Sequence, residues 1–213
     1  MNKVLASLVS GTALTAALVA LQPPAPAEAK GISLTGSPSR LTLKINKVYQ
    51  SRPLWCAPTG ASVSLAKLGI KVGQKTLAKK MKTRSPYGTY DYDAVRVLNS
   101  YAAKKGYRFS LVYDVNKPGR LAKRVVHDVG VLRKAVPLQV YMKRLPWYKG
   151  LIDGNPGHLI VAYGYDKKAK TVTVWDPYNY YFNGGTHVIP LKKLAKATQS
   201  TDGAAGMFYL TKN

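Results

Sequence analysis

The residue types that could do chemistry in this sequence are few: Cys56, which is its one cysteine, His158 and Asp176. A thiol is a weak nucleophile until its proton is drawn off. A helix N-terminus helps, because its unpaired backbone N–H groups and the helix dipole favour an anion. Pro53 and Pro58 bracket a turn, and Ala57 to Leu68 carries alanines, serines and spaced apolar residues that end at Gly69. This pattern predicts a helix with the thiol at its N-terminal edge. The other reading of Cys56 is a buried, inert small residue, since free cysteine is among the most buried residue types. An internal disulfide is excluded by the cysteine count.

A thiolate also needs a partner to hold and deliver its proton, and that partner needs a group to fix its tautomer. His158 follows Asn155-Pro156-Gly157 and opens an apolar strand, Leu159 to Tyr163. A second strand, Thr171 to Trp175, ends in Asp176-Pro177. A turn over Asp166 to Lys170 makes the two a hairpin whose open end brings His158 near Asp176. Asp176 before Pro177 could instead simply open a turn. His127 and His187 sit in no motif and read as structural or solvated. Tyr178, Tyr180 and Tyr181 could line a substrate cleft, stack on sugar rings, or cover a sheet edge. No set of His, Cys, Asp and Glu has metal-ligand spacing, so neither a metal nor another cofactor is expected.

The elements that must position these residues divide into two halves. Residues 30–48 read as a leader segment or a first strand, with alternation through Leu41, Leu43, Ile45 and Val48. Helices are predicted at Ala57 to Leu68, Lys75 to Met81, Asp91 to Lys105 and Leu121 to Lys134, with a strand at Tyr107 to Tyr113. The second half is strand-like: Val136 to Met142, His158 to Tyr165, Thr171 to Asp176 and Gly206 to Thr211 are rich in Val, Ile and Tyr. The plan is α+β, with an N-terminal helical part packed on a C-terminal antiparallel sheet.

The first 29 residues belong to export on this reading. Lys3 supplies positive charge, Val4 to Leu21 is apolar and small, and Ala27-Glu28-Ala29 offers a cleavage site after Ala29. A retained anchor is disfavoured by the weak hydrophobicity of the run and by Pro23, Pro24 and Pro26. Cleavage removes one lysine and one glutamate, so the formal charge of +24 is unchanged. A secreted or cell-envelope-associated location follows, with no further stretch apolar enough to span a membrane. The charge predicts non-specific attraction to an anionic polymer of the envelope. Of the 33 basic residues 24 are scattered lysines, which argues against specific nucleic-acid recognition.

Three segments together carry a family resemblance. They are Gln50-Ser51-Arg52-Pro53-Leu54-Trp55-Cys56-Ala57-Pro58-Thr59; Gly157-His158-Leu159-Ile160-Val161 with Gly164-Tyr165-Asp166; and Thr171-Val172-Thr173-Val174-Trp175-Asp176-Pro177. In this order they resemble the C39-like cysteine peptidases of the papain fold, over about residues 45 to 195, with Val188-Ile189-Pro190-Leu191 similar to the family's closing strand and turn. The resemblance implies a peptidase domain over residues 49–213 and a Cys56, His158, Asp176 triad acting through an acyl-enzyme. It also implies an oxyanion-stabilising glutamine, Gln50, six residues before Cys56. Ala57 stands where the family commonly has glycine, which leaves substrate class open. A peptide or cell-wall peptide is the expected substrate, and a monomer the expected state. Two other readings stay open: a catalytically weak papain-fold module that binds anionic envelope polymers, and an acyl transferase using the same triad.

Overall fold

The protein is described here by a computed structural model over residues 31–180, 183–199 and 206–213. The expected export segment, residues 1–29, and Tyr181 lie outside the described residues. The chain runs β1 (Arg40–Thr42), α1 (Cys56–Ala66), α2 (Gln74–Lys80), α3 (Asp91–Ala102), β2 (Tyr107–Val112), α4 (Pro118–Val125), β3 (Val136–Tyr141), β4 (Gly157–Asp166), β5 (Thr171–Asp176), β6 (Gly185–Pro190), α5 (Leu191–Ala197) and β7 (Met207–Lys212). The strands form one antiparallel sheet in the order β2-β7-β3-β4-β5-β6, with β1 also paired to β4. This is the expected α+β architecture, with α4 and α5 additionally interleaved among the strands.

β4 is the central strand. Leu159 to Tyr165 are all buried, which explains why its sequence is a continuous apolar run and not an alternating one. One edge pairs with β5. The other is shared: β3 takes it from Gly157 to Ala162, and β1 from Gly164 to Asp166. A bulge between Ala162 and Gly164 shifts the β4–β5 register, so Val161 faces Trp175 while Asp166 faces Thr171. His158 and Asp176 thus lie at the open end of this hairpin, but the extra residue means that counting from the turn misjudges their register.

Helix α1 is built from small residues so that it can lie close on β4. A Cβ at Gly60 would collide with Leu159 Cδ2 and sit 3.4 Å from Val161 Cγ2. The helix ends where the sequence says it should. Gly69 takes φ +77°, and Ile70 N–H returns to the Leu65 carbonyl at 3.0 Å, a glycine-terminated Schellman closure.

Three sequence expectations are corrected. The strand expected through Val48 is limited to Arg40–Thr42. Beyond it the backbone is tied to the bulge of β4 and the end of β5: Leu43 N–H donates to Tyr163 O (2.9 Å) and Gln50 N–H to Pro177 O (2.9 Å), while Trp175 Nε1 donates to Val48 O (2.9 Å). With β3 and β5 already on β4, only a three-residue edge was available to pair. The helix expected over Leu121 to Lys134 stops at Val125 and continues as a π-helical turn, Val126–Val131. There Gly130 approaches Tyr165 too closely for a side chain. Finally, Leu191 begins α5 instead of a turn, and Leu194, Ala195 and Ala197 are its buried face.

Gly60→Val is expected to lower stability by about 1–3 kcal/mol, because the added methyls enter a filled contact with Leu159 and Val161. Urea unfolding of the two proteins measures this.

Candidate active site

Cys56 is the first residue of α1, so its own N–H and those that follow have no helical partner. The sulfur is half-buried and takes hydrogen bonds from His158 and from the N–H groups of Leu159 and Ala57. Burial alone would raise its pKa. The hydrogen bond and charge of His158, with the two N–H groups, outweigh burial and hold the thiol below its ordinary value.

His158 lies in β4 opposite Val140 of β3 and is 5 % exposed. Its Nε2 is 2.7 Å from Asp176 Oδ1, which leaves Nδ1 to face the thiol. Asp176 is fully buried and saturated with donors. Oδ1 also accepts Tyr178 N–H at 2.9 Å, and Oδ2 accepts Trp147 Nε1 at 2.9 Å and Tyr148 Oη–H at 3.1 Å. Burial would raise this carboxyl, yet the charge and hydrogen bond of His158, the Tyr178 N–H and Trp147 hold it below its usual range. Burial likewise opposes a charge on His158, but Asp176 and then Cys56 prevail and its pKa is pushed up to about 10. The arrangement therefore favours a thiolate beside an imidazolium, backed by a carboxylate.

Aromatic groups enclose the imidazole. The rings of Tyr148 and Tyr178 stand edge-on to it, with centroids 6.3 and 6.0 Å away. Trp147 stacks flat on His187 at 3.9 Å, so His187 props the indole that reaches Asp176. Tyr180 is exposed and leans on Tyr178. His127 lies elsewhere: Nδ1 is 2.8 Å from Asp128 Oδ1, and Asp128 Oδ2 accepts Leu210 N–H at 3.1 Å, fastening the π-helical turn to β7.

Gln50 is 8 % exposed and lines the same cleft as Cys56 and His158. Its Nε2 donates to Arg52 O at 3.0 Å, and a second amide hydrogen remains. Its Oε1 is buried without a partner among the described residues. The backbone on either side of Gln50 is gripped by one side chain, Gln74. Gln74 Nε2 donates to Tyr49 O (2.8 Å), and its Oε1 accepts Ser51 N–H (3.0 Å) and Thr59 Oγ1–H (2.9 Å). Thr59 is one turn into α1, so Gln74 bridges the Gln50 loop to the helix that carries Cys56.

The cleft has a volume of about 500 Å³. Ala57 lines it too, the methyl that stands in place of the family's usual glycine. The structure thus brings Cys56, His158 and Asp176 into one hydrogen-bonded chain and puts Gln50 on the same cleft. Trp147, Tyr148 and Gln74 were not foreseen. The aromatic pair after Leu145-Pro146 carries a weak signal, since buried Trp and Tyr need partners for their polar tips; Gln74 carries none. Among the described residues no group of His, Cys, Asp and Glu could hold a metal ion, and no helix is long and apolar enough to cross a membrane.

Solved structures share this fold at low identity. A C39-like peptidase from Bacillus anthracis is similar with TM-score 0.58 and 16 % identity, over 82 % of this chain and 98 % of that one. A double glycine motif protease from an AMS/PCAT transporter, solved with its leader peptide, is similar with TM-score 0.53 and 14 % identity, over 81 % and 94 %. The peptidase domain of Streptococcus ComA, a bifunctional ABC transporter of a quorum-sensing pathway, gives 0.51 and 16 %, over 78 % and 98 %. Comparison with curated proteins finds no match. The profile described as the Peptidase_C39 like family matches residues 42–205, and over that span, which contains all four candidate residues, the chain belongs to this family of peptidases.

Proposed function

We propose that the protein is an exported cysteine peptidase that cleaves a peptide amide through a thioester acyl-enzyme. The observation that carries this reading is the buried His158 Nε2 to Asp176 Oδ1 bond of 2.7 Å, with Cys56 hydrogen-bonded to the same ring. On this reading the Cys56 thiolate attacks the carbonyl carbon of the scissile bond. The carbonyl oxygen becomes an oxyanion that accepts hydrogen bonds from Cys56 N–H and the second hydrogen of Gln50 Nε2. His158 delivers its Nδ1 proton to the leaving amine as the tetrahedral species collapses to the thioester. A water then gives its proton to His158 and attacks the thioester, and the acid leaves as the thiolate and imidazolium are restored. Asp176 remains ionised throughout and holds the ring in place. The leader peptide bound by the AMS/PCAT protease supports a peptide as the substrate class. Its basic surface would hold the enzyme near an anionic envelope.

The deciding experiment is the pH dependence of Cys56 alkylation by iodoacetamide; with one cysteine, all label reports on that thiol. Reaction is expected to persist below the ordinary thiol pKa of about 8.5, and the profile should move upward in His158→Ala. An ordinary thiol profile in both proteins would abandon the peptidase for a papain-fold module that binds anionic polymers through its lysines.

Peptide hydrolysis should follow a bell. It rises as the thiolate forms, earlier than for a free thiol because the Cys56 pKa is lowered. It falls as the imidazolium loses its proton near pH 10, because the His158 pKa is raised to about 10. Asp176→Asn removes the largest interaction that raises the His158 pKa, while the hydrogen bond and charge of Cys56 remain. NMR titration of the His158 ring should move down from about 10.

Gln74→Ala separates thiol activation from oxyanion support. It should lower kcat for a peptide roughly 10- to 100-fold through misplacement of Gln50, while the iodoacetamide profile of Cys56 stays as in the wild type.

A further inference from the structure

The cleft that holds Cys56 and His158 is also lined by Asp91, the first residue of α3, and by Gln139 of β3. The Asp91 carboxylate accepts a hydrogen bond from Gln139 Nε2. Gln139 Oε1 is in turn held by Gly206 N–H at 2.7 Å, so a backbone-anchored amide fixes the carboxylate in the wall. Among the described aspartates only Asp91 and Asp153 are in no ion pair, and Asp153 is exposed. Asp93, Asp114, Asp128, Asp166 and Asp176 each face an arginine or histidine. Among the described residues no ion pair includes Asp91, and no lysine or arginine lines the cleft. With 33 basic residues against 9 acidic ones, a cationic neighbour is the easiest partner for this fold to supply. An aspartate in a first turn complements the helix dipole; that role accounts for the charge, but not for its position in a cleft wall that excludes lysine and arginine.

The chemistry around Asp91 suits a visiting cation. Burial raises its pKa although the Gln139 hydrogen bond opposes this, so the ionised carboxylate is under-solvated and gains from a positive partner. Tyr87 and Tyr141 line the same cleft, and Tyr113 is close enough for the Asp91 charge to add to burial in raising its pKa. A fixed carboxylate among aromatic surfaces is the combination that holds an ammonium or guanidinium group.

We propose that Asp91 is a specificity residue that receives the ammonium or guanidinium group of a substrate residue bound beside the scissile bond. This rests on the peptidase reading of the same cleft and names the substrate class that reading leaves open: peptides with lysine, arginine or another amine-bearing residue near the cleaved bond.

The test uses acetyl-capped di- and tripeptide vinyl sulfones that carry lysine or norleucine at each position before the electrophile, with the rate of Cys56 modification as readout. In the wild type, lysine at one position is expected to react about tenfold faster than norleucine, and in Asp91→Asn the ratio should fall to near one. Acidification of the wild type supplies a second measurement that needs no variant. The lysine-to-norleucine ratio should decline as Asp91 takes up a proton, while changes in Cys56, His158, Tyr87, Tyr141 and Tyr178, which face the same cleft, act on both probes alike. A ratio near one in the wild type, or one that survives both Asp91→Asn and acidification, overturns the proposal. Iodoacetamide separates the two failures: an activated thiol without lysine preference removes only the role of Asp91, whereas an ordinary thiol removes the peptidase reading and this proposal with it.

Discussion

A single buried carboxylate organises the region around the cleft. Asp176 has no solvent exposure, and a charge in that position is tolerated only if it is paired and hydrogen-bonded. Four groups meet that demand: the His158 ring, the Tyr178 N–H, the Trp147 indole and the Tyr148 hydroxyl. They come from three stretches of the chain, so the end of β5, the mouth of β4 and the short helical turn at Pro146–Tyr148, which supplies both Trp147 and Tyr148, must all converge on one point. Removing one partner of a buried pair typically costs roughly 3–5 kcal/mol. The geometry of His158 is therefore enforced by stability as well as by any chemistry that it performs.

The approach of α1 to β4 is the second constraint, and it is steric. Ala57, Gly60 and Ala61 are buried against the sheet, and their small size lets the helix start close enough for the Cys56 sulfur to reach the N–H of Leu159 in the neighbouring strand. A larger residue at position 60 would lift the helix and the thiol together. The same closeness places Thr59 where Gln74 can join it to the loop bearing Gln50. Thiol, imidazole and amide are thus placed by three contacts, helix on strand, strand on carboxylate, and loop on glutamine, the last of which relies on the first through Thr59.

How far this could be read in the sequence depends on how local the information is. His158 and Asp176 belong to one hairpin, so the turn at residues 167–170 and two apolar runs were enough to bring them to the same end. The bulge after Ala162 left one faint trace, Gly164, since a glycine inside a strand often marks a bulge or a close approach. Cys56 was legible through its flanking prolines and the glycine stop. Gln50 was legible only through the family resemblance, since nothing in its neighbours marks it. Trp147, Tyr148 and Gln74 act across 15 to 29 residues of intervening chain, and such contacts leave no periodicity. The segment after β1 alternates like a strand, yet it has no free edge to pair with; availability of an edge is a property of the assembled sheet. The α5 helix was hidden for a related reason: Leu191 to Ala197 is too short and lysine-rich to declare itself until Leu194 and Ala197 find the core.

Charge is distributed unevenly between surface and cleft, and this bears on what can bind where. The chain carries +24 overall, but among the described residues no lysine or arginine lines the cleft, which instead contains Asp91 and is backed by buried Asp176. In the favoured protonation state the thiolate, imidazolium and Asp176 sum to one negative charge, and Asp91 adds a second when ionised. On the proposed reading, a polyanion drawn to the exterior is repelled from the cleft, while a cationic peptide gains there what it loses on the outside. Salt screens exposed charges over about 8–10 Å but shields buried ones much less. On the proposed reading, attraction to an anionic polymer and recognition inside the cleft belong to two separate electrostatic regimes, so the first does not require the cleft to be occupied.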